Sequence, residues 1–475
     1  MLAVMPTPSP DEMAFLPAVE LARLVARKEV SPVEAVTLFL ERIERLDGKL
    51  NSVVTLDAER ALAVAREQES VAGTEGAPPL LGVPILVKDL AMTAGLRTTY
   101  GTATLAAFVP GVDDTHIGRL RQAGLIVLGK TNVPEWGTLA FTESALLGPC
   151  RNPWDLARTP GGSSGGAAAA MAAGLTPVAH GSDGAGSIRI PASNCGLFGL
   201  KPSRGRITKA PLYGDGLLGF GTPAALSRYV ADAAALVDAM RGYEPGDPYW
   251  APDPRHPYVE DVRRDPPQLR IGLVDTAPWA TFDACALVAL QEAAALFERL
   301  GHTVEEAALP IDDRLRRDFQ IAWTAALAAN PIDHTTFEPY NAAIAQSARG
   351  YSAAQLLQAT ASLQQRSCAI VQASSAYDAV CCPTLTRPPL EIGELAGLDA
   401  RALTDALAGY IGLTPLANVT GQPSMSLPVH WTEQEHPLPM GVMVTGRPAD
   451  EATLFQLAGQ VERATDWAAR RPPVS

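Results

Sequence analysis

Residues 159–193 read TPGGSSGGAAAAMAAGLTPVAHGSDGAGSIRIPAS. Taken alone, the Gly/Ser run at its start has the composition of a flexible linker. The alanines that follow argue otherwise, because alanine is the strongest helix former. A rigid turn that opens directly into a helix accounts for 159–174, and it presents Ser163 and Ser164 at the helix start. A second Gly/Ser turn, GSDGAGS at 181–187, follows the strand-like TPVAH. An alanine helix and a short strand join the two turns, enough chain to fold the second back beside the first. Small alanines let that helix lie close on a sheet.

The flanking sequence extends the pattern. Residues 14–70 repeat apolar positions at three- and four-residue spacing and are predicted helical, with Ser31-Pro32 as a cap and first-turn proline. LLGVPILVKDL (80–90) is an apolar run of strand length containing Lys88, DDTHIGRLRQAG (113–124) a capped helix, and LIVLGKTN (125–132) a buried strand. Further on, LRIGLVDT (269–276) and AYDAVCCPTL (376–385) read as strands. Between them lie a helix and strand over 285–307 and an alanine-rich helical region over 320–373. TPLANVTGQPSMSLPVHW and PMGVMVTG read as strands, and the chain closes on a helix. Strands alternating with helices predict an α/β fold with a mixed central sheet covered by helices on both faces. No composition break cuts the chain, so 1–475 is expected to form one large domain. It divides into a helical segment (1–70), a core (80–230) and the remaining sheet and pocket helices (240–475).

Composition excludes several function classes. A net charge of −13 argues against nucleic acid, which needs a basic face. No apolar run approaches the length of a membrane span. MLAVMPTPSPDEMAFL lacks a positive n-region and is broken by prolines, so no signal peptide is read. The six cysteines are scattered without a CxxC pair, as expected of buried thiols, Cys195 and Cys381 among them, in a reducing cytoplasm. The histidines show no ligand spacing, so neither metal nor cofactor is expected.

Conventional catalytic motifs fit poorly. Gly161-Gly162-Ser163-Ser164-Gly165 formally matches a GxSxG elbow. The late histidine that such a hydrolase needs has only His430 and His436 as candidates, flanking the polar loop WTEQEHPLP. No lysine follows the glycines as in a phosphate-binding loop, and GxGxxG is absent here.

The block PGGSSGGAAAAMAAGLTPVAHGSDGAGSIRIPASNCGLFGLKPSRGR resembles the amidase signature family. The resemblance extends in order through LLGVPILVKDL, LGKTNVPEWG, GPCRNPWDLARTPGGSSGG, YDAVCCPTL and NVTGQPSMSLP to the C-terminal WAARRPP. It implies the family's α/β/α fold and a Ser–cis-Ser–Lys triad. By motif position Ser187 is the nucleophile, Ser163, after a cis peptide from Gly162, the bridging serine, and Lys88 the base. The chemistry suits these residue types. A serine hydroxyl is weak until a base takes its proton, and lysine is a base only when desolvation keeps it neutral.

The resemblance also implies an oxyanion hole from the backbone N–H groups of Gly184, Ala185, Gly186 and Ser187. Ala185 stands where the family commonly has glycine, a harmless change only if its φ is negative. Asp183 and Arg189 would form an ion pair under the nucleophile's loop, with substrate-carboxylate binding by Arg189 as the sharper alternative, and Ser164 would support the turn. Asn132, Trp136, Gly137 and Thr138 lie in a loop similar to the family's acyl-pocket wall, and are expected to bind substrate.

GSDGAGSIRIPAS is more similar to stand-alone amidases, such as aryl acylamidases and the hydrolase of the 6-aminohexanoate cyclic dimer, than to the glutaminase subunit of aminoacyl-tRNA amidotransferases. The latter typically carries DTGGS followed by IRQP. The expected activity is therefore hydrolysis of small-molecule amides by a cytoplasmic monomer or homodimer, with esters and carbamates (urethanase activity) as further substrates. The glutaminase subunit is the alternative, and intact Lys88, Ser163 and Ser187 argue against an inactive scaffold.

Overall fold

A computed structural model describes residues 9–212, 214–433 and 435–475. The first eight residues of MLAVMPTPSPDEMAFL, Tyr213 and Gln434 in WTEQEHPLP lie outside the described residues.

The elements run, in chain order, α1 (Ala18–Ala26), α2 (Pro32–Leu50), β1 (Val53–Leu56), α3 (Ala58–Glu69), β2 (Pro84–Lys88), α4 (Thr115–Gln122) and β3 (Ile126–Thr131). The twin Gly/Ser turns add α5 (Gly165–Ala172), β4 (Val178–Asp183) and α6 (Arg189–Cys195). Then come β5 (Phe198–Lys201), β6 (Thr222–Ser227), α7 (Val230–Met240), β7 (Arg270–Leu273), α8 (Ala284–Arg299) and β8 (Thr303–Glu306). The chain finishes with α9 (Asp313–Ala328), α10 (Pro339–Ala348), α11 (Ala353–Ser374), β9 (Ala379–Pro383), α12 (Ala400–Ile411), α13 (Leu416–Thr420), β10 (Ser424–Trp431), β11 (Pro439–Gly446) and α14 (Glu451–Ala464).

These eleven strands form one mixed sheet in the order β1-β3-β2-β4-β6-β5-β10-β11-β9-β7-β8, and Glu143–Ser144 pairs with Gly148–Pro149 in a separate two-stranded ribbon. β2 runs parallel to both β3 and β4, while β4, β6, β5, β10, β11 and β9 pair antiparallel in turn. Successive residues of a strand face opposite sides. Leu86 accordingly joins Phe39 and Ile43 of α2 in one buried cluster. Ile85 and Val87 join Ile117 and Leu120 of α4 and Leu236 of α7 in another. Lys88, two residues on from Leu86, shares the α2 face. Each large apolar side chain buried this way contributes roughly 1.5–3 kcal/mol.

Helix α5 is buried along its whole length. A Cβ on Gly166 would come within 2.3 Å of the Asn132 main-chain nitrogen, so the small residues are what lets the helix start this close to β3. The cap expected at Ser31 is present, with Glu34 N–H donating to Ser31 Oγ at 3.1 Å, and the Glu34 side chain accepting from Ser31 N–H at 2.8 Å completes a capping box.

Three local readings are corrected. Within the segment expected to be helical, Val53–Leu56 forms an edge strand beside β3, because the left-handed Asn51 (φ 53°) ends α2 and β-branched residues follow. TPLANVTG is not a strand: Leu416–Thr420 forms the helical turn α13, ended by left-handed Gly421. Asp114 starts α4, yet its carboxylate accepts from Met92 N–H at 2.9 Å instead of capping the helix.

Candidate active site

Lys88 is the last residue of strand β2 and is fully buried. Its Nζ donates to Ser163 Oγ at 2.8 Å and to the Ser182 carbonyl at 3.1 Å. Burial pushes its pKa down from 10.5 to about 7, and the Asp183 charge only partly opposes this. An amine so placed is a base near neutral pH. Ser163 is 2% exposed, and the Gly162–Ser163 peptide is cis.

Ser164 joins the two turns. Its N–H donates to the Ser187 carbonyl at 3.1 Å, its Oγ donates to the Ser182 carbonyl at 3.2 Å, and it accepts from Ser182 N–H at 3.4 Å. Ser187 itself is 7% exposed, so a solvent-reachable edge survives at this buried locus.

The loop 184–187 is organised from beneath by Asp183. Its Oδ1 accepts from Gly186 N–H (2.7 Å), Arg189 Nη2 (2.9 Å) and Asn418 Nδ2 (2.9 Å), and its Oδ2 from Ile188 N–H (3.1 Å) and Arg189 Nε (3.0 Å). Burial would raise this carboxyl's pKa, but the Arg189 charge and the hydrogen bonds of Arg189 and Asn418 overcome it and hold it well below the usual range.

Gly186 departs from its expected role. Its N–H is committed to Asp183, which leaves Gly184, Ala185 and Ser187 as the N–H groups of the loop without an acceptor among the described residues. The φ of Gly186 is +119°, and a Cβ there would lie 2.7 Å from Thr414 Oγ1, so this position demands glycine. Ala185 is not among the positive-φ residues, so alanine costs no backbone strain in the place commonly held by glycine.

Arg189 does not meet a substrate carboxylate. It is fully buried, and its guanidinium is spent on Asp183, Asn418, Ser424 and Met443. Asn132 is also corrected. Its side chain is turned away to the carbonyls of Asn51 (2.9 Å) and Gly148 (3.2 Å), where it fastens the α2–β1 junction. Thr138 gives its hydroxyl to Asn341 Oδ1 (2.6 Å) on α10. Gly137 does adjoin the site, and Trp136 precedes it in a cluster of aromatic rings. A Cβ on Gly137 (φ +69°) would stand 3.0 Å from Ser163 Oγ, and Trp136 packs between Tyr100 and Phe337 with ring centroids 5.5 and 5.4 Å away.

His430 is buried and bonds Glu292 at 2.8 Å, making no hydrogen bond to either serine. Cys195 and Cys381 are buried, and burial pushes both thiols well above their usual pKa.

Sequence reasoning missed Asn418 and Thr414. Asn418 Nδ2 donates to the carbonyls of Asp183 and Phe220, both at 3.0 Å, and its Oδ1 accepts from Arg189 Nη2 at 2.7 Å. Thr414 Oγ1 donates to the Ala185 carbonyl at 2.8 Å. Only the asparagine in an otherwise apolar LANV turn hinted at this role.

Against this geometry, the Amidase family profile matches residues 34–455. The chain belongs to the amidase family. AmiB2 of Mycobacterium tuberculosis is 40% identical over 477 residues, covering 98% of this chain and all of that one. The 6-aminohexanoate-cyclic-dimer hydrolase of Pseudomonas sp. is 34% identical, covering 95% of each chain. The structure of a 6-aminohexanoate cyclic dimer hydrolase complexed with substrate superposes with a TM-score of 0.90 at 32% identity, over 97% of this chain and 99% of that one. A bacterial aryl acylamidase superposes at 0.86 with 26% identity, over 96% and 99%. The mixed α/β fold is that of these amidase-signature structures, and hydrolysis of amide bonds is the chemistry this family membership supports. No helix among the described residues is long and apolar enough to cross a membrane.

Proposed function

We propose that this amidase hydrolyses small-molecule carboxamides through an acyl-enzyme on Ser187, with Ser163 as proton relay and Lys88 as base. The observation that carries the reading is the hydrogen bond between Lys88 Nζ and Ser163 Oγ at a fully buried position whose pKa is brought to about 7. Neutral Lys88 takes the Ser163 proton while Ser163 takes that of Ser187, and Ser187 Oγ bonds to the amide carbon. The resulting alkoxide is met by the free N–H groups of Gly184, Ala185 and Ser187, where a hydrogen bond is strongest against developing charge. The proton returns through Ser163 to the leaving nitrogen, the C–N bond breaks and the amine departs. Water then attacks the acyl ester, the same groups taking its proton and returning it to Ser187 Oγ as the ester C–O bond breaks, and the carboxylic acid is released.

The likeness to a cyclic-dimer hydrolase and an aryl acylamidase supports cyclic, acyl or aryl amides as substrates. Esters and carbamates enter the same cycle, since each offers a carbonyl with a displaceable heteroatom. The test is hydrolysis of a simple anilide and of glutamine by the isolated chain. We expect anilide turnover that Ser187→Ala abolishes with the circular dichroism spectrum unchanged. Full activity in that variant would sink the assignment, and glutamine turnover confined to mixtures with partner subunits would point instead to the amidotransferase subunit.

A further inference from the structure

Gly184, beside the scissile bond in the reading above, faces two side chains that the mechanism does not use. A Cβ at Gly184 would lie 3.3 Å from Leu217 Cδ1 and 3.3 and 3.4 Å from Trp323 Cζ3 and Cη2. These residues come from separate parts of the chain, Leu217 from the β5–β6 connection and Trp323 from the middle of α9.

Both are held in place. Trp323 is half-buried and packs on Phe319 (centroids 5.7 Å), which packs on Phe220 (5.2 Å) just beyond the Leu217 turn. The turn is pinned from below: Lys209 Nζ donates to the carbonyls of Asp215 and Gly216, and Arg204 Nε to that of Gly219 at 2.8 Å. Leu217 and Leu218 have φ of +51° and +54°, a conformation that leucine adopts only under constraint, and they remain 37% and 36% exposed. An exposed apolar turn, strained and tied down at both ends, therefore stands beside Gly184, one of the three loop residues whose N–H groups have no acceptor among the described residues.

We propose that Leu217 and Trp323 form an apolar subsite that grips an alkyl or aryl substituent next to the scissile carbonyl, and so determine specificity. Leu217, Phe220, Phe319 and the Trp323 ring edge that faces Gly184 present only apolar surface, so a charged substituent lying among them gives up hydration without a hydrogen-bond partner from them. An alkyl or aryl group instead gains burial against the indole and the leucine. Trp323 and Leu217 are specificity determinants in this assignment, and take no part in proton transfer.

The assignment rests on the acyl-enzyme reading, and the test separates the two. Two amide series are compared, one varying the acyl group from acetyl through butyryl to hexanoyl and benzoyl on a constant anilide. The other varies the arylamine on a constant acetyl group. In one of these series wild-type kcat/KM is expected to climb with apolar size, and Trp323→Ala and Leu217→Ala should lower it about tenfold or more for the largest member. The smallest member should change by less than about twofold, and Trp323→Phe should restore most of the climb. A loss by the same factor throughout both series, or a wild-type enzyme blind to apolar size in both, overturns the subsite. Leu217 is exposed, so its variant remains informative where Trp323→Ala fails to fold. Ser187→Ala retaining activity would overturn the acyl-enzyme reading instead.

Discussion

The main-chain N–H of Ser164 donates to the carbonyl of Ser187 at 3.1 Å. That bond joins the two Gly/Ser turns directly, and the Ser164 hydroxyl adds a second attachment at Ser182. Ser163 and Ser187 are thereby held on one backbone frame. Ser164→Ala keeps the first attachment and loses the second. We expect it to lower stability by about 1 kcal/mol, the typical net worth of a buried hydrogen bond. Urea unfolding checks this, and an unchanged midpoint would count against the hydroxyl's role.

The lowered pKa of Lys88 gives the reaction a pH dependence. The proposed mechanism needs Lys88 neutral, so kcat/KM should rise with pH through an apparent pKa near 7. A profile flat from pH 6 to 8 would contradict Lys88 as base.

The same shift links Lys88 to stability. Between about pH 7 and 10.5 the unfolded lysine binds a proton that the folded one releases, so this residue's contribution rises with pH across that window. Lys88→Met should therefore be inactive yet more stable than wild type. The gain should be fullest below pH 7 and vanish by about pH 10.5, as read from denaturant midpoints across pH.

Asp183 and Arg189 form a fully buried pair at 2.9 Å. Asp183→Asn leaves the guanidinium uncompensated and should cost roughly 3–5 kcal/mol. In the wild type the depressed carboxyl pKa contributes stability that is present above the unfolded value of 3.8 and is lost as pH falls below it. Acid unfolding of wild type and variant, compared by fluorescence, should show the wild type losing its advantage in that range.

The 184–187 loop separates two small-residue substitutions. Ala185→Gly should leave kcat/KM within about twofold, since Ala185 needs no positive φ. Gly186→Ala meets Thr414 Oγ1 and a φ of +119°, and should displace the loop and lower kcat by about 10²-fold or more. Equal effects from the two would refute the loop geometry.

The helix of 165–172, the strand ending at Lys88 and the paired serine turns were legible because each is a local pattern. Alanine propensity and apolar runs act over a few residues. The strand at 53–56 was not legible, because four residues after a long helix carry no period and form a strand only when β3 offers an edge. The engagement of Gly186 N–H by Asp183, and the diversion of Asn132 to the carbonyls of Asn51 and Gly148, depend equally on backbone geometry that residue types do not encode.

The sequence by itself determined which chemical groups are present, in what order, and on which local elements: an amine at a strand end and hydroxyls on two glycine turns. Only the tertiary structure decided what those groups are. The amine becomes a base near pH 7 because layers of side chains from distant segments exclude water from it. The Asp183 loop keeps its shape because Asn418, 235 residues away, closes on it. Desolvation and long-range hydrogen bonds are sums over the folded neighbourhood, so no stretch of the chain carries them alone.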